Sequence, residues 1–315
     1  MTFSDINKTL GWLFLSVSFL VAYTPASAQT NKTNQPVTVQ MIPLLRMIFF
    51  DSGSSTIPSR YTLFTDRQQT QFFREDTVRA VFDIYYNYLN HLGYRLQQNP
   101  TTMITVTGCN SQRPAMERSP ELSKARALAI QHYLVDIWGI DPVRIKMEGR
   151  NLPANATPST TPEGIEENRR VEITSDNWEI VKPVMVHSKI PAEMRYEEFL
   201  FIQIPSISNF GKWNSKILEE LVINRIAPTT DIEIEAHTDI LGTPEYNLRI
   251  RQLLEHNTQK MIIHAAKKQY RSCTISSPFY SGTIHGMYFS NEFPEGRHYN
   301  RSVEIRLTTP NGPRE

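Results

Sequence analysis

One stretch of the chain, residues 119–139, carries a complete set of helix signals. Ser119 is a residue type that caps helices, Pro120 suits the first helical position, and Gly139 ends the pattern. Apolar side chains recur between them at helical spacing and predict a core-facing stripe of Leu122, Ala125, Ala129, Ile130, Tyr133, Leu134 and Ile137. Arg126 lies beside this stripe, one turn from the helix start, where a guanidinium and unpaired backbone N–H groups together suit an anion.

The elements around this helix alternate between strand and helix patterns. Short strands are predicted at 46–51, 103–107, 144–148 and 170–174, and a second amphipathic helix at 76–96. The segment 149–167 is rich in Pro, Asn and Thr and is predicted to be a loop. This order predicts an α/β sandwich in which two helices pack on one face of a single mixed sheet.

The same pattern recurs about 130 residues later. Strands are predicted at 198–204, 231–236 and 302–307, with helices at 212–226 and 245–268. Gly108 corresponds to Ala236 at an offset of 128, and Asn168 corresponds to Asn300 at an offset of 132. We interpret this agreement as an internal duplication, which predicts two tandem domains.

The chain begins with the pattern of an export signal. Lys8 precedes an apolar run from Leu10 to Tyr23, and a small-x-small cleavage site follows at 26–28. A retained membrane anchor is the alternative, but this run is shorter than the roughly 20 apolar residues that a membrane-spanning helix needs, so we expect a cleaved signal and no spanning segment in the mature chain. The predicted segments are a signal peptide (1–28), a polar leader (29–43), domain 1 (44–175), a linker with room for a strand (176–196), domain 2 (197–308) and a tail (309–315).

Composition excludes several functions. The chain has 33 Lys and Arg against 32 Asp and Glu and shows no basic cluster, which argues against a nucleic-acid partner. His237, His285 and His298 lack the spacing of metal ligands, and no nucleophile-and-base pattern stands out. We therefore expect no metal, no cofactor and no enzymatic activity. Export would permit a disulfide, but we expect Cys109 and Cys273 to be separate small apolar residues.

Three local motifs occur in a fixed order. They are Leu122-Ser123-x-x-Arg126-Ala127 on the first long helix, Asn168-Arg-Arg-Val-Glu-Ile173 on the last strand of the first copy, and His237-Thr-Asp239-x-x-Gly242-x-x-x-Tyr246-Asn247 before the second long helix. Together they resemble the OmpA-like C-terminal domain family, which also occurs in peptidoglycan-associated lipoproteins and flagellar stator subunits. The resemblance covers nearly the whole mature chain and implies two tandem βαβαβ-type OmpA-like domains, the second divergent.

The resemblance implies non-covalent binding of the peptide stem of peptidoglycan, whose diaminopimelate side chain is a zwitterion. In the family, an Asp of the His-Thr-Asp loop binds the ammonium, and the Arg of the Leu-Ser-x-x-Arg-Ala motif, fifteen positions later, binds the carboxylate. The first copy has Arg126 but Ser111 in place of the Asp, and the second has Asp239 but Leu254 in place of the Arg. Each copy therefore keeps one of the two charged residues.

Both functional and structural interpretations of these residues are open. The candidate ligand-binding residues are Arg126, Ser111, Asp239, Asn168 and Arg170. Substitute partners are Glu117 or Ser111 for an ammonium in the first copy, and Arg249 or Arg251 for a carboxylate in the second. In the structural interpretations Arg126 forms a salt bridge with Glu172 or, across a domain interface, with Asp239; Asp239 caps a turn; and Arg169, Arg170 and Arg301 stabilise a strand entrance.

Two functions are consistent with these features. The first is an exported periplasmic protein, associated with the outer membrane, that binds peptidoglycan and has envelope or outer-membrane proteins as partners. The second is an envelope scaffold or assembly subunit whose degenerate OmpA-like domains make protein–protein contacts without binding peptidoglycan. The aromatic segment 276–298 is a candidate partner surface, and a packed loop explains it equally well.

Overall fold

The computed structural model describes residues 37–189, 196–203, 216, 222–226, 230–268, 274–276 and 289–309. Several predictions lie outside these residues. They concern the signal peptide, Cys273, most of the helix predicted at 212–226 and most of the aromatic segment 276–298. No helix among the described residues has both the length and the apolar composition needed to cross a membrane.

The described residues form strands, α-helices and short 3-10 helices. The strands are β1 (Val37–Ile42), β2 (Met47–Phe49), β3 (Ile104–Gly108), β4 (Ile145–Gly149), β5 (Arg170–Thr174), β6 (Val184–Lys189), β7 (Tyr196–Gln203), β8 (Asp231–Ala236), β9 (Thr274–Ser276) and β10 (Ser302–Thr309). The α-helices are α1 (Val81–Tyr86), α2 (Tyr88–Gln98), α3 (Pro120–Asp136), α4 (Pro162–Asn168), α5 (Trp178–Val181), α6 (Pro244–Lys268) and α7 (Pro294–Asn300). The 3-10 helices span Arg67–Phe72, Glu75–Thr77, Ala115–Arg118, Pro142–Arg144 and Ile223–Arg225.

The strands form two mixed sheets. A four-stranded sheet has the order β2-β5-β3-β4, and with α1 to α4 it makes what we call the N-terminal lobe. A six-stranded sheet has the order β6-β1-β7-β10-β8-β9, and with α6 and α7 it makes the C-terminal lobe. The strands predicted at 46–51, 103–107, 144–148 and 170–174 are present as β2, β3, β4 and β5, and the predicted α/β class with a mixed sheet is confirmed.

Helix α3 has the ends that its sequence predicts. The Ser119 hydroxyl accepts a bond from the N–H of Leu122 (3.3 Å), and Pro120 occupies the first helical position. At the other end Gly139 adopts a positive φ of 66°, and its N–H bonds the carbonyl of Val135 (3.1 Å). A positive φ favours glycine, which explains why the helix ends there.

The buried face of α3 differs from the predicted stripe. It consists of Ser123, Arg126, Ala127, Ile130, Tyr133 and Leu134, whereas Leu122, Ala125 and Ala129 are only half-buried. The reason is a close approach to β3, since a Cβ added to Gly108 would lie 1.8 Å from the carbonyl oxygen of Ser123. Arg126 therefore lies within the buried face of the helix rather than beside it.

The predicted polar leader is wrong for residues 37–42, which form β1. The predicted linker, whose sequence left room for a strand, contains β6. The two strands pair antiparallel, and Met41 pairs with Met185. Apolar residues alternate along both strands and are buried, namely Val39, Met41, Val184 and Val186. So short an alternation forms a strand here because a neighbouring strand of the sheet is available to pair with it.

The predicted loop 149–167 and the predicted helix 76–96 also need correction. Helix α4 occupies the end of that loop, where the Thr161 hydroxyl accepts a bond from the N–H of Gly164 (3.1 Å) and Pro162 takes the first position. The helix predicted at 76–96 is divided at Asn87 into α1 and α2.

The two lobes repeat one strand arrangement. The order and directions of β7-β10-β8-β9 match those of β2-β5-β3-β4, with one parallel pair at the corresponding edge of each. The registers also agree, because Gly108 pairs with Val171 in one sheet and Ala236 pairs with Val303 in the other. These pairs keep the sequence offsets of 128 and 132.

The short helices α4 and α7 repeat one set of hydrogen bonds. Asn168 accepts a bond from the N–H of Thr157 (2.9 Å) and donates one to its carbonyl (2.7 Å). Asn300 makes the same two bonds with Phe289 (3.1 and 2.8 Å), 132 positions further along. An asparagine that ends a short helix thus fixes the preceding loop in both lobes.

Helix α7 links the two lobes. Every residue of α7 is buried, although it belongs in sequence to the C-terminal lobe. Tyr299 packs in the hydrophobic core of the N-terminal lobe, and its hydroxyl bonds the carbonyl of Pro43 (3.2 Å). Phe289, just before the helix, packs against the same core. The lobes therefore share buried surface rather than meeting at a solvated boundary.

Candidate functional site

Arg126, the candidate carboxylate-binding residue of the N-terminal lobe, lies in a fully buried salt bridge. Its guanidinium donates to both carboxylate oxygens of Glu117, at 2.8 and 2.9 Å. The side chains of both residues have no exposed surface. Glu117 is thus the acidic partner of Arg126. The proposed pairing with Glu172 is wrong, because Glu172 pairs with Arg170 (2.7 Å).

The remaining donors of Arg126 are also occupied. They bond the carbonyls of Asp51 (3.2 Å), Ser54 (2.9 Å) and Cys109 (3.0 Å) and the side-chain oxygen of Asn110 (3.0 Å). A guanidinium has five N–H groups, and this network provides acceptors for all of them. Arg126 therefore has neither an exposed surface nor an N–H group to offer a ligand.

The environment of Glu117 favours its ionised form. Burial by itself opposes ionisation, but hydrogen bonds from Arg126 and from the backbone N–H of Gly53 (2.6 Å) outweigh it and hold the pKa of this carboxyl below its usual range. Ser111 is buried beside it, with its N–H directed at Glu117 (3.4 Å) and its hydroxyl bonded to the carbonyl of Arg113 (2.6 Å). Neither Glu117 nor Ser111 is placed to receive an ammonium.

Asn168 and Arg170, the other candidates in the N-terminal lobe, are buried and make contacts within the protein. Asn168 fixes the loop before α4 through Thr157, as described above. Arg170 donates to the carbonyls of Asn155 (2.9 Å) and Glu167 (2.8 Å) in addition to Glu172. Both residues hold the segment between β4 and β5 in place.

Asp239 occupies a different environment in the C-terminal lobe. It lies in the loop between β8 and α6, where its carboxylate accepts a bond from the N–H of Leu241 (2.9 Å) and pairs with Arg301. The proposed turn-capping role is therefore present, and an ion pair is added to it. The proposed contact with Arg126 is wrong, because Arg126 is saturated by Glu117 and its neighbours.

A cavity of about 700 Å³ opens beside Asp239. The lining consists of six residues between Asn155 and Thr161, five residues of the loop from His237 to Gly242, four residues of α6 (Tyr246, Asn247, Ile250 and Leu254), and His298 and Arg301. The lining includes a charged pair, Asp239 and Arg301, and two apolar residues of α6, Ile250 and Leu254. Of the five candidate residues from the sequence, only Asp239 lines this cavity.

Arg301 also lines the cavity, although its sequence context indicated only a residue at a strand entrance. The carboxylate partner in this lobe was expected from α6, at Arg249 or Arg251, yet neither lines the cavity. Arg301 instead enters from the end of α7, and a quarter of its side chain is exposed. The Asn300-Arg301 pair was visible in the sequence, but nothing local indicated that it faces Asp239, 62 positions away.

A carboxylate of the N-terminal lobe holds Arg301 from its other side. Glu167 of α4 accepts bonds from both terminal nitrogens of Arg301, at 2.8 and 3.0 Å, and from Arg297 (2.8 Å). Arg297 also pairs with Glu166 (2.6 Å). Burial opposes ionisation of Glu167, but the guanidinium of Arg301 and the hydroxyl of Thr157 outweigh it, so that its pKa is lowered to about 2.

The two histidines of the cavity are neutral at pH 7. Burial, with the charge of Arg251, lowers the pKa of His237 to about 4. Burial and the charge of Arg301 lower the pKa of His298 well below its usual value. The positive charge beside Glu167 therefore comes from the guanidinium groups, and the charges in the cavity lining are those of Asp239 and Arg301.

Comparison with known proteins gives one family match and several structural ones. No curated protein matches the chain. The peptidoglycan-associated lipoprotein from Burkholderia pseudomallei is similar at 17% identity, over 42% of this chain and 90% of that chain, with a TM-score of 0.30. The C-terminal domain of Helicobacter pylori MotB is similar at 17% identity, over 42% and 84% of the two chains, with a TM-score of 0.30.

A third structure, the cell wall anchor of the T6SS from Pseudomonas aeruginosa, is similar at 24% identity, over 40% of this chain and 73% of that chain, with a TM-score of 0.27. Residues 83–169, which run from α1 to the end of α4, match the OmpA family. The N-terminal lobe thus contains an OmpA family domain.

Proposed function

We propose that this protein binds the peptide stem of peptidoglycan non-covalently, in the cavity beside Asp239. The observation that carries the proposal is that one cavity lining presents both a carboxylate, Asp239, and a guanidinium, Arg301. A zwitterionic amino-acid side chain needs one partner of each sign, and charge-assisted hydrogen bonds give it both affinity and orientation. The OmpA family match of residues 83–169 supports the same class of ligand.

The rest of the cavity suits an aliphatic chain that ends in such a zwitterion. Leu254 is buried where the family places its arginine, and it extends an apolar wall together with Ile250. A ligand methylene group that packs on this wall gains about 0.8 kcal/mol when it leaves water. In this proposal Arg301 replaces the missing helix arginine as the carboxylate-binding group.

The C-terminal lobe contains, in our proposal, a second and divergent OmpA-like copy. The two repeated units lie in tandem at 44–175 and 197–308, and β1 and β6 add two strands to the sheet of the second unit. Support comes from the matched strand order, the matched registers at Gly108 and Ala236, and the matched loop contacts of Asn168 and Asn300. An internal duplication explains why the strand order, the strand registers and the loop hydrogen bonds all recur at nearly constant sequence offsets.

The proposal places the protein in the periplasm, associated with the outer membrane, after cleavage of a signal peptide at residues 1–28. The apolar run and the cleavage site of that segment support export. The protein would act by binding rather than by catalysis. Its binding to peptidoglycan would leave other surfaces available to envelope proteins.

Sedimentation with isolated peptidoglycan sacculi tests the binding proposal. We expect the purified protein to pellet with sacculi and Asp239→Asn to remain in the supernatant, because the ammonium partner is lost. Glu245→Gln is the matched control, since Glu245 is an exposed carboxylate in the first turn of α6 that does not line the cavity. Failure of the wild type to pellet, or equal pelleting of Asp239→Asn, would refute the proposal.

The saturation of Arg126 favours a second candidate function. Because Arg126 is buried and paired with Glu117, the N-terminal lobe offers no arginine at this position to a ligand. This arrangement suits a structural role. The alternative is therefore an envelope scaffold or assembly subunit that contacts other proteins and does not bind peptidoglycan. The same sedimentation experiment separates the two functions, because a scaffold of this kind stays in the supernatant.

A further inference from the structure

Glu167 belongs to α4 of the N-terminal lobe, but its ion-pair partners belong to the C-terminal lobe. Its two carboxylate oxygens accept bonds from Arg301 at 2.8 and 3.0 Å, and one of them also accepts from Arg297 at 2.8 Å. The hydroxyl of Thr157 donates to the other at 2.6 Å. The side chain of Glu167 has no exposed surface, so its carboxylate makes these hydrogen bonds without competition from water. Charge-assisted bonds of this kind fix the orientation of the groups that they join.

Arg301 is held between two carboxylates from different lobes. Its Nε pairs with Asp239, and its two terminal nitrogens each use one N–H on Glu167. Because a guanidinium has five N–H groups, these three bonds leave two for other acceptors. Arg301 lines the cavity and a quarter of its side chain is exposed, so this side chain is accessible to a ligand there.

We propose that Glu167 is a positioning residue for the cavity of the C-terminal lobe. It fixes the guanidinium of Arg301 so that two N–H groups face the ligand and only Nε engages Asp239. Without the Glu167 carboxylate, the terminal nitrogens of Arg301 rotate towards Asp239 and form a two-bond ion pair with its carboxylate. That carboxylate is then no longer available to the ligand ammonium. This inference rests on the proposed function and adds that the site of one lobe is set by a residue of the other.

The charge of the cluster supports this role. Glu166, Glu167 and Asp239 supply three carboxylates, and Arg297 and Arg301 supply two guanidinium groups. The linked cluster therefore carries one net negative charge, which favours the approach of a ligand ammonium. Neutralising Glu167 removes this excess as well as the orientation of Arg301.

The test compares Glu167→Gln with Glu166→Gln in the full protein. Both residues lie on α4 and contact Arg297, but only Glu167 contacts Arg301. We expect Glu167→Gln to weaken sacculus binding about ten- to one-hundredfold, the loss expected for a charge-assisted hydrogen bond. Glu166→Gln is expected to bind within about twofold of the wild type, because Arg297 keeps its ion pair with Glu167 and the contacts of Arg301 are unchanged.

A competition experiment separates positioning from a loss of structure. Diaminopimelate carries an ammonium beside a carboxylate, whereas cadaverine has ammonium groups only. In the wild type we expect diaminopimelate to displace the protein from sacculi at lower concentration than cadaverine. In Glu167→Gln we expect this preference to disappear, because the carboxylate-binding N–H groups of Arg301 are no longer aimed at the cavity.

A second variant tests the inference should Glu167→Gln fail to fold. Thr157→Val removes the hydroxyl that bonds Glu167 but leaves every charge in place, and we expect an intermediate loss of the diaminopimelate preference. Binding of Glu167→Gln and Thr157→Val that equals the wild type, while Asp239→Asn abolishes binding, would overturn this inference and leave the proposed function standing. Failure of the wild type to pellet would overturn both.

Discussion

Replacing Glu117 with Gln tests whether Arg126 has become a structural residue. The two side chains are fully buried and share two hydrogen bonds of 2.8 and 2.9 Å. Gln has nearly the same shape as Glu but no charge. Because an arginine stays protonated even when it is buried, the substitution leaves Arg126 without a counter-charge in the core of the N-terminal lobe.

The expected loss of stability follows from the burial of this pair. Removing one partner of a buried ion pair costs about 3–5 kcal/mol, which for a domain of this size lowers the melting temperature by about 6–20 °C. The control is Glu179→Gln, which breaks the exposed pair of Glu179 with Lys182. That pair has side chains 49% and 39% exposed, and its loss is expected to cost less than about 1 kcal/mol.

Urea unfolding followed by circular dichroism measures both losses. The double variant Glu117→Leu/Arg126→Met is expected to be more stable than Glu117→Gln, because exchanging both charges for apolar groups leaves no buried charge unpaired. The pKa of Glu117 lies below its unfolded value, so the stabilisation is present above about pH 4.3 and is lost as the pH falls through the folded pKa. A Glu117→Gln protein as stable as the Glu179→Gln control would refute the structural assignment of Arg126.

Three other measurements follow from the same structure. Gly108→Ala is expected to destabilise the protein by at least about 1–3 kcal/mol in thermal unfolding, because the new Cβ would lie 1.8 Å from the carbonyl oxygen of Ser123; an unchanged melting temperature would contradict that close approach. The folded pKa of Glu167 is about 2, so the free energy of unfolding should fall as the pH is lowered from about 4.3 towards 2, and Glu167→Gln should flatten this part of the profile. Burial raises the pKa of the Cys109 thiol to about 12, so in a Cys273→Ser background iodoacetamide at pH 8 should label Cys109 only after unfolding, and rapid labelling of the folded protein would show that the thiol is accessible.

Local signals explain what could be predicted from the sequence. The ends of α3 depend on Ser119, Pro120 and Gly139, which act on backbone groups within a few residues, and the prediction of that helix is confirmed. The strand β8 is found at 231–236, as predicted, because its apolar residues alternate and one face is buried. Interactions of short range leave a pattern that can be read directly from the residue order.

The role of Arg301 could not be read in this way. Its partners Asp239 and Glu167 lie 62 and 134 positions away, and their contact depends on how α4 and α7 pack. Whether Arg126 is available to a ligand likewise depends on the position of the 3-10 helix Ala115–Arg118, because that helix carries Glu117, which pairs with Arg126. The sequence shows that an arginine is present but not whether its side chain faces a cavity, as Arg301 does, or a buried carboxylate, as Arg126 does. Only the folded structure distinguishes the two.

The pairing of β1 with β6 gives the chain a nested topology. Ile42 pairs with Val184, so the N-terminal lobe leaves and rejoins the larger sheet at adjacent points. The whole N-terminal lobe is thus an insertion between two neighbouring strands of the C-terminal lobe. Both strands that pair with β1, namely β6 and β7, follow the inserted lobe in sequence, and the folded lobe holds the ends of β1 and β6 side by side. Because the inserted lobe is folded, pairing β1 with β6 does not require closing a long flexible loop, and the loss of chain entropy on forming the larger sheet is smaller.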